Sequence, residues 1–210
     1  MMRKMIKTLA AGLMFGLVST TAWAVPMSFV EGTHYFPTAE KLNMAEDDKV
    51  VVVEMFSYTC PHCFALEPEV EAWKESLADD VEFVKVPAIF RDSWLELAKV
   101  YYAAEATGDL AMLHPKLFSA IHVDKRRLNT EDQLLDFVEE QGVDREAFAK
   151  AMNSFSVKGK VKNALIMSRT SGITGVPAFI VDGSYRTNAS SAGGAENVFD
   201  VVDMLIEQAR

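Results

Sequence analysis

The chain has 210 residues, half of them hydrophobic, with 30 acidic against 21 basic side chains and a formal charge of −9. That length supports one good core, or one core carrying an inserted subdomain. Its acidic balance disfavours nucleic acid and anionic lipid as partners, and two cysteines are too few to staple an exported scaffold.

Residues 1–24 read as a signal peptide rather than as structure. Arg3, Lys4 and Lys7 form a basic start, residues 9–18 are apolar but too few to span a membrane, and Ala22-Trp23-Ala24 is a small-x-small cleavage site. Without that segment the chain keeps 18 basic against 30 acidic residues, a formal −12. Residues 33–36 then read as a short strand and residues 49–56 as a stronger one, built on Val50-Val51-Val52-Val53. Both cysteines follow at once, in Cys60-Pro61-His62-Cys63. From there Cys63, Leu66, Val70, Trp73 and Leu77 recur at steps of three and four, which predicts a helix from Cys60 to about Ala78. Pro61 suits its first turn, and Pro68 is expected to kink it. Residues 81–86 form the next strand, which Pro87 stops or marks as an edge. The order β-β-α-β implies a parallel pair joined by a crossover helix.

From Asp92 to about Ser154 the pattern is helical without a strand signal. Asp92 is expected to cap a helix ending at Gly108, with Leu95, Ala98 and Tyr102 inward. Asp109 caps the next, broken or kinked at Pro115. Thr130-Glu131-Asp132-Gln133 is a capping-box sequence, and Asp144 opens a further short helix. Residues 156–171 read as another helix, with Val161, Leu165 and Ile166 as its apolar side. Gly175-Val176-Pro177 leads into a strand at 178–181, Asp182-Gly183 turns it, and residues 184–186 begin a hairpin partner. Residues 188–194 are loop-like. Val198, Val201, Val202, Leu205 and Ile206 make one face of a closing helix.

The cysteine pair carries the chemistry. A Cys-x-x-Cys at a strand-to-helix turn places its first sulfur at a helix N-terminus, where free N–H groups and the macrodipole stabilise a thiolate. A disulfide closing so short a loop constrains the unfolded chain little, so a redox role accounts for the motif better than stapling. A metal module using Cys60, His62 and Cys63 would need a fourth ligand or a second paired motif, and the sequence holds none; no metal and no cofactor are expected. Glu54 closes the valine run, and a carboxylate there needs a partner or a proton. Lys85, in the neighbouring strand, is available.

Cys-Pro-His-Cys at a helix start, Gly175-Val176-Pro177 before a strand and a helical insert between them resemble the DsbA family of periplasmic thiol:disulfide oxidoreductases. The resemblance covers about Pro26 to Arg210. It implies an α/β thioredoxin-like fold with an inserted all-helical subdomain, divided as residues 25–90, 91–155 and 156–210 after the signal peptide. Cys60 is then the nucleophile, Cys63 resolves, and Pro61 and His62 complete the motif, His62 tuning how oxidising the pair is. Glu54, Lys85 and Glu67 match charged residues beneath the family's site, Glu54 as a proton relay or structural ion pair and Glu67 as a solvated helix residue of weak influence. Val176-Pro177 is expected to be cis and to pair with extended substrate. His34, His114 and His122 read as ordinary surface or packing residues. The implied partners are reduced exported polypeptides and a DsbB-type membrane quinone oxidoreductase, with no nucleic acid, and the chain is expected to be a periplasmic monomer. An isomerase or reductase of the same fold is the alternative.

Overall fold

The computed structural model describes residues 28–44 and 49–210; the segment read as a signal peptide lies outside the described residues. The valine run forms the middle of the molecule. Strand β2, Val50–Phe56, is buried at all seven positions, as expected of a strand covered on both faces. It pairs in parallel with β3, Val81–Pro87, and antiparallel with β4, Ala178–Val181. Strand β5, Tyr185–Thr187, follows β4 through the Asp182-Gly183 turn, and β1, Phe36–Pro37, closes that side, giving the order β1-β5-β4-β2-β3. Strand β3 is therefore an edge, and Pro87 ends it where a missing N–H is harmless.

Side chains of β2 alternate between two cores. Val51, Val53 and Met55 join one cluster, and Val50 and Val52 the other. Fully burying each valine contributes about 1.5–3 kcal/mol relative to leaving it in water. Helix α1, Pro61–Lys74, lies on the second face through Leu66, Val70 and Trp73, beside α7, Val198–Ala209. The Trp73 indole N–H donates to Asp203 at 2.9 Å and ties those two helices together.

The first face is covered by helices inserted after β3. These are α2, Leu95–Thr107; α3, Leu110–His122; α4, Glu131–Glu140; and α5, Arg145–Met152, followed by α6, Phe155–Thr170. Helix α2 is buried at Leu97, Ala98 and every position from Val100 to Ala104, and it packs against α3, α4, α5 and α6. Capping follows the sequence at three starts. Thr130 and Gln133 form the full capping box, Asp144 accepts from the Ala147 N–H at 2.8 Å, and Ser154 accepts from the Val157 N–H at 3.2 Å. Ser168 pins α6 to the end of β3, accepting from the Ile89 N–H at 2.9 Å and donating to the Ala164 carbonyl at 2.7 Å.

Several local expectations give way to tertiary packing. Residues 32–34 form a tight turn, with the Thr33 and His34 N–H groups on the Val30 carbonyl and the Gly32 N–H on the Tyr35 carbonyl, so β1 starts only at Phe36. Asp92 opens a short 3-10 turn and makes no side-chain cap. Asp109 likewise caps nothing, its carboxylate accepting instead from the Thr107 hydroxyl at 2.6 Å. Helix α3 is not broken at Pro115, and α1 continues through Pro68 as its apolar stripe implies, since burial outweighs one lost backbone bond in each. Ile166 is exposed, and α6 buries Val157, Val161, Ala164 and Ser168.

Candidate active site at the Cys60–Cys63 turn

Cys60 occupies the N-cap of α1, with extended backbone (φ −90°, ψ 116°), and Pro61 takes the first helical position. The turn is closed by the Cys60 N–H on the Ser57 carbonyl at 3.0 Å. Cys60 is half-buried, Cys63 is fully buried, and both are thiols. Pro61 and His62 are exposed between them. A hydrogen bond from the Cys63 thiol is the largest influence holding the Cys60 pKa down, at about 6. Partial burial opposes it, and the N–H groups of Cys63 and His62, with the charge of His62, add to the lowering. Cys63 is driven the other way, well above the usual thiol range, by its bond to Cys60 and by burial. One sulfur is thus ready to be a thiolate and the other to keep its proton.

A charged layer lies under the pair. Glu54 has no exposed surface, and neither of its oxygens has a hydrogen-bond partner among the described residues. Its nearest cation, Lys85 Nζ, stands 3.8 Å away, opposite Glu54 in the β2–β3 register. Burial raises the Glu54 pKa to about 8, because Lys85 is more closely engaged elsewhere: with Glu67, and with Glu71 at 2.9 Å. For Lys85 burial works against the charge, but Glu54 and Glu67 outweigh it, and its pKa stands above the ordinary value.

Glu67 departs from the expectation of a solvated residue. Its side chain is 15% exposed, and it accepts from Lys85 and, at 3.0 Å, from His114 Nε2. Burial would raise its pKa, but those two partners bring it below the usual carboxylate value.

The structure also brings in two histidines that the sequence reading treated as ordinary. His114, buried on α3, bridges Glu67 and, through Nδ1 at 2.7 Å, the hydroxyl of Tyr58. With Nε2 donating to the carboxylate, Nδ1 is left to accept the phenol proton, so the neutral ring satisfies both neighbours. Burial accordingly lowers the His114 pKa. His122, two turns on, donates Nε2–H to the Tyr58 carbonyl at 2.8 Å and stacks on Phe64, with centroids 4.9 Å apart and planes 8° from parallel. Both imidazoles of α3 therefore grip the residue two positions before Cys60. Their spacing of eight along one helix was the only signal of this in the sequence. His34 is a packing residue, accepting from the Val30 N–H at 3.0 Å beside Phe29.

Across from the cysteines, the Val176–Pro177 bond is cis. The Val176 carbonyl accepts from the Cys60 thiol at 3.2 Å, which places this loop directly over the reactive sulfur. On one side is a groove of about 490 Å³ lined by His62, Leu66, Val176, Pro177 and Ala189, among others. On the other, Phe90, Arg91 and Trp94 flank a cavity of about 550 Å³ that includes Cys60. Among the described residues no cluster of three or more His, Cys, Asp or Glu side chains could hold a metal ion, and no helix is long and apolar enough to cross a membrane.

A sheet of this order, with a dithiol at the start of α1 facing a cis-proline loop, defines a thioredoxin-fold thiol:disulfide oxidoreductase carrying a helical insert. The DSBA-like thioredoxin domain family matches residues 78–205, and the thioredoxin family matches residues 37–104. The thiol:disulfide interchange protein DsbA of Azotobacter vinelandii is 37% identical over 211 residues, covering 100% of this chain and 99% of its own. That of Pseudomonas aeruginosa PAO1 is 35% identical, covering 100% and 98%. The crystal structure of Pseudomonas aeruginosa DsbA superimposes with a TM-score of 0.82 at 36% identity, over 87% of this chain and 95% of that one. DsbA from Xylella fastidiosa does so at 0.78 and 29%, over 84% and 95%. The chain belongs to the DsbA family of disulfide-forming oxidoreductases.

Proposed function

We propose that the protein works in the periplasm as a monomer, passing the Cys60–Cys63 disulfide to reduced polypeptides as they are exported. A substrate thiolate attacks Cys60 Sγ, the Cys60–Cys63 bond breaks, and its electron pair leaves on Cys63, which takes up a proton. The second substrate thiolate then attacks the substrate sulfur of the mixed disulfide and expels Cys60 as a thiolate. The substrate has lost two electrons and gained a disulfide, and the Cys60–Cys63 pair is reduced. A DsbB-type membrane protein takes those electrons on to quinone.

The observation that carries this reading is the asymmetry of the pair: a half-buried Cys60 with its pKa held near 6, next to a buried Cys63 that keeps its proton. A stabilised Cys60 thiolate is a good leaving group in the second step and favours the reduced form, so the disulfide is oxidising. Glu54 is buried beside this pair and holds a proton near neutrality, which suits it to supply Cys63 as the disulfide opens. Lys85 and Glu67 set its electrostatic surroundings, His62 adds to the stabilisation of the thiolate, and the Val176–Pro177 loop receives the extended substrate beside Cys60.

The test is a pair of substitutions. Cys60→Ser should abolish oxidation of a reduced protein substrate, whereas Cys63→Ser should accumulate a mixed disulfide through Cys60, visible on non-reducing gels. Equal, mild effects from both would remove the assignment. Equilibration with glutathione decides the direction: a potential as reducing as that of thioredoxin would favour the reductase or isomerase alternative.

A further inference from the structure

The groove beside Pro177 does not end at the cis-proline loop. Thr174, Asn188 and Ser190 line it and also line a second cavity of about 400 Å³, so the two adjoin along one wall. The second cavity is polar, and its cation is Arg186, in the middle of β5. Arg186 lies opposite Ile180 on one side and Phe36 on the other, with its guanidinium carbon 5.2 Å from the centre of the Phe36 ring. That stacking holds the side chain in place while leaving its in-plane donors free for an acceptor.

Those donors have no acceptor among the described residues. Arg186 Nε is buried without a hydrogen-bond partner, and no ion pair or hydrogen bond joins the Arg186 side chain to another described residue. No carboxylate is among the described residues that line its cavity. Two of the hydroxyls lining it are already engaged, Thr187 donating to the His34 carbonyl at 2.7 Å and Ser191 to the Asn188 carbonyl at 3.1 Å. In a chain of net charge −9, an arginine stacked in a cavity beside the groove with no carboxylate among the described lining residues is unusual. An unmet charged donor in a partly desolvated site is the arrangement that rewards an incoming anion.

We propose that Arg186 is a specificity-determining residue that pairs with a carboxylate on the polypeptide joined to Cys60. The inference rests on the function proposed above, because it needs an extended substrate lying along the Val176–Pro177 groove. Ile180, the partner of Arg186 in register, lies on β4 four positions after Val176, a span of roughly 10–13 Å. The carboxylate therefore belongs roughly two to five residues from the reacting cysteine. It is an Asp or Glu side chain, or the terminus of a chain ending close to its cysteine.

The test uses reduced two-cysteine peptides, amidated at the C-terminus, that differ only in Asp, Asn or Lys at each of those positions. A further peptide ends there in a free carboxylate. The oxidised protein should oxidise the Asp peptide about tenfold faster than the Asn peptide at one position, as a charge-assisted hydrogen bond supports. Arg186→Gln should erase that ratio, and Arg186→Glu should reverse it in favour of Lys. Each ratio is taken on a single protein sample, so partial misfolding of a variant does not change it. Preference for the free terminus alone, lost in Arg186→Gln, assigns the terminus as the source. Asp and Asn peptides oxidised alike by the parent, or a preference for Asp that survives Arg186→Glu, overturns the inference and leaves the function standing. Failure to oxidise any peptide overturns both.

Discussion

The pH dependence of the two redox forms tests the asymmetry of the cysteine pair most directly. In the reduced folded protein the Cys60 pKa is about 6 against an ordinary 9.0. A depressed folded pKa gives stability that is complete above the unfolded value and is lost as pH falls through the folded one. Between pH 5 and pH 7, linkage over that gap amounts to ~1.4 kcal/mol. Cys60 is only half-buried, and solvent screening brings the expectation to about 1 kcal/mol. The oxidised protein has no Cys60 proton to lose, and the entropy of its closed loop does not depend on pH. The reduced form should therefore gain on the oxidised form by about 1 kcal/mol from pH 5 to pH 7, or roughly 2–4 °C in melting temperature. The gain should continue toward pH 8, below the range in which Cys63 would titrate. Urea unfolding of both forms at half-unit steps provides the curve. A difference that stays flat from pH 5 to pH 8 would refute the stabilised thiolate, whichever form is the more stable.

Two further outcomes follow from the layer beneath the site. Glu54 keeps its proton when folded up to about pH 8, whereas the unfolded chain releases it near 4.5, so stability should fall by a few kcal/mol as pH rises across that window. In the oxidised protein, where Cys60 does not contribute, Glu54→Gln should flatten that fall; an unchanged slope would mean that Glu54 is ionised throughout. His114→Leu leaves the Tyr58 hydroxyl without its partner and takes one of two donors from Glu67 Oε1, which keeps Lys85, and should cost about 2 kcal/mol in chemical unfolding. In combination with Tyr58→Phe the two losses should overlap by about 1 kcal/mol, and strict additivity would show that the 2.7 Å contact carries no energy.

Much of the site was legible because its parts lie close in sequence or announce themselves by period. Cys60 through Cys63 sit at a strand-to-helix turn that the valine run and the Leu66, Val70, Trp73 stripe both predict. The Glu54–Lys85 pairing followed from two adjacent strands joined by one helix, since that connection makes them parallel neighbours and their register falls within a residue or two. Capping at Thr130, Asp144 and Ser154 is local chemistry, decided within four residues, and Thr130 and Asp144 were read as such. Asp92 and Asp109 carry the same local signal without a capping bond: Asp92 falls inside the 3-10 turn before α2, and Asp109, at the N-cap of α3, has its carboxylate on the Thr107 hydroxyl.

What only the tertiary structure decided are the contacts between the helical insert and the rest of the chain. Glu67 looks like a solvated helix residue until α3 is laid against α1, which brings His114, 47 positions away, onto its carboxylate. His122 meets the Tyr58 carbonyl across 64 positions, and the polar cavity of Arg186 is lined both by Thr33 and Phe36 and by residues from Ile173 onward. Hydrophobic period sets which face of a helix turns inward, but not which polar group it will find there. The cysteine turn, its strand and its helix were therefore determined by the sequence alone. The surroundings that set its acidity from below and frame its groove from above depend on how distant segments pack, because burial and hydrogen bonding are properties of the assembled molecule.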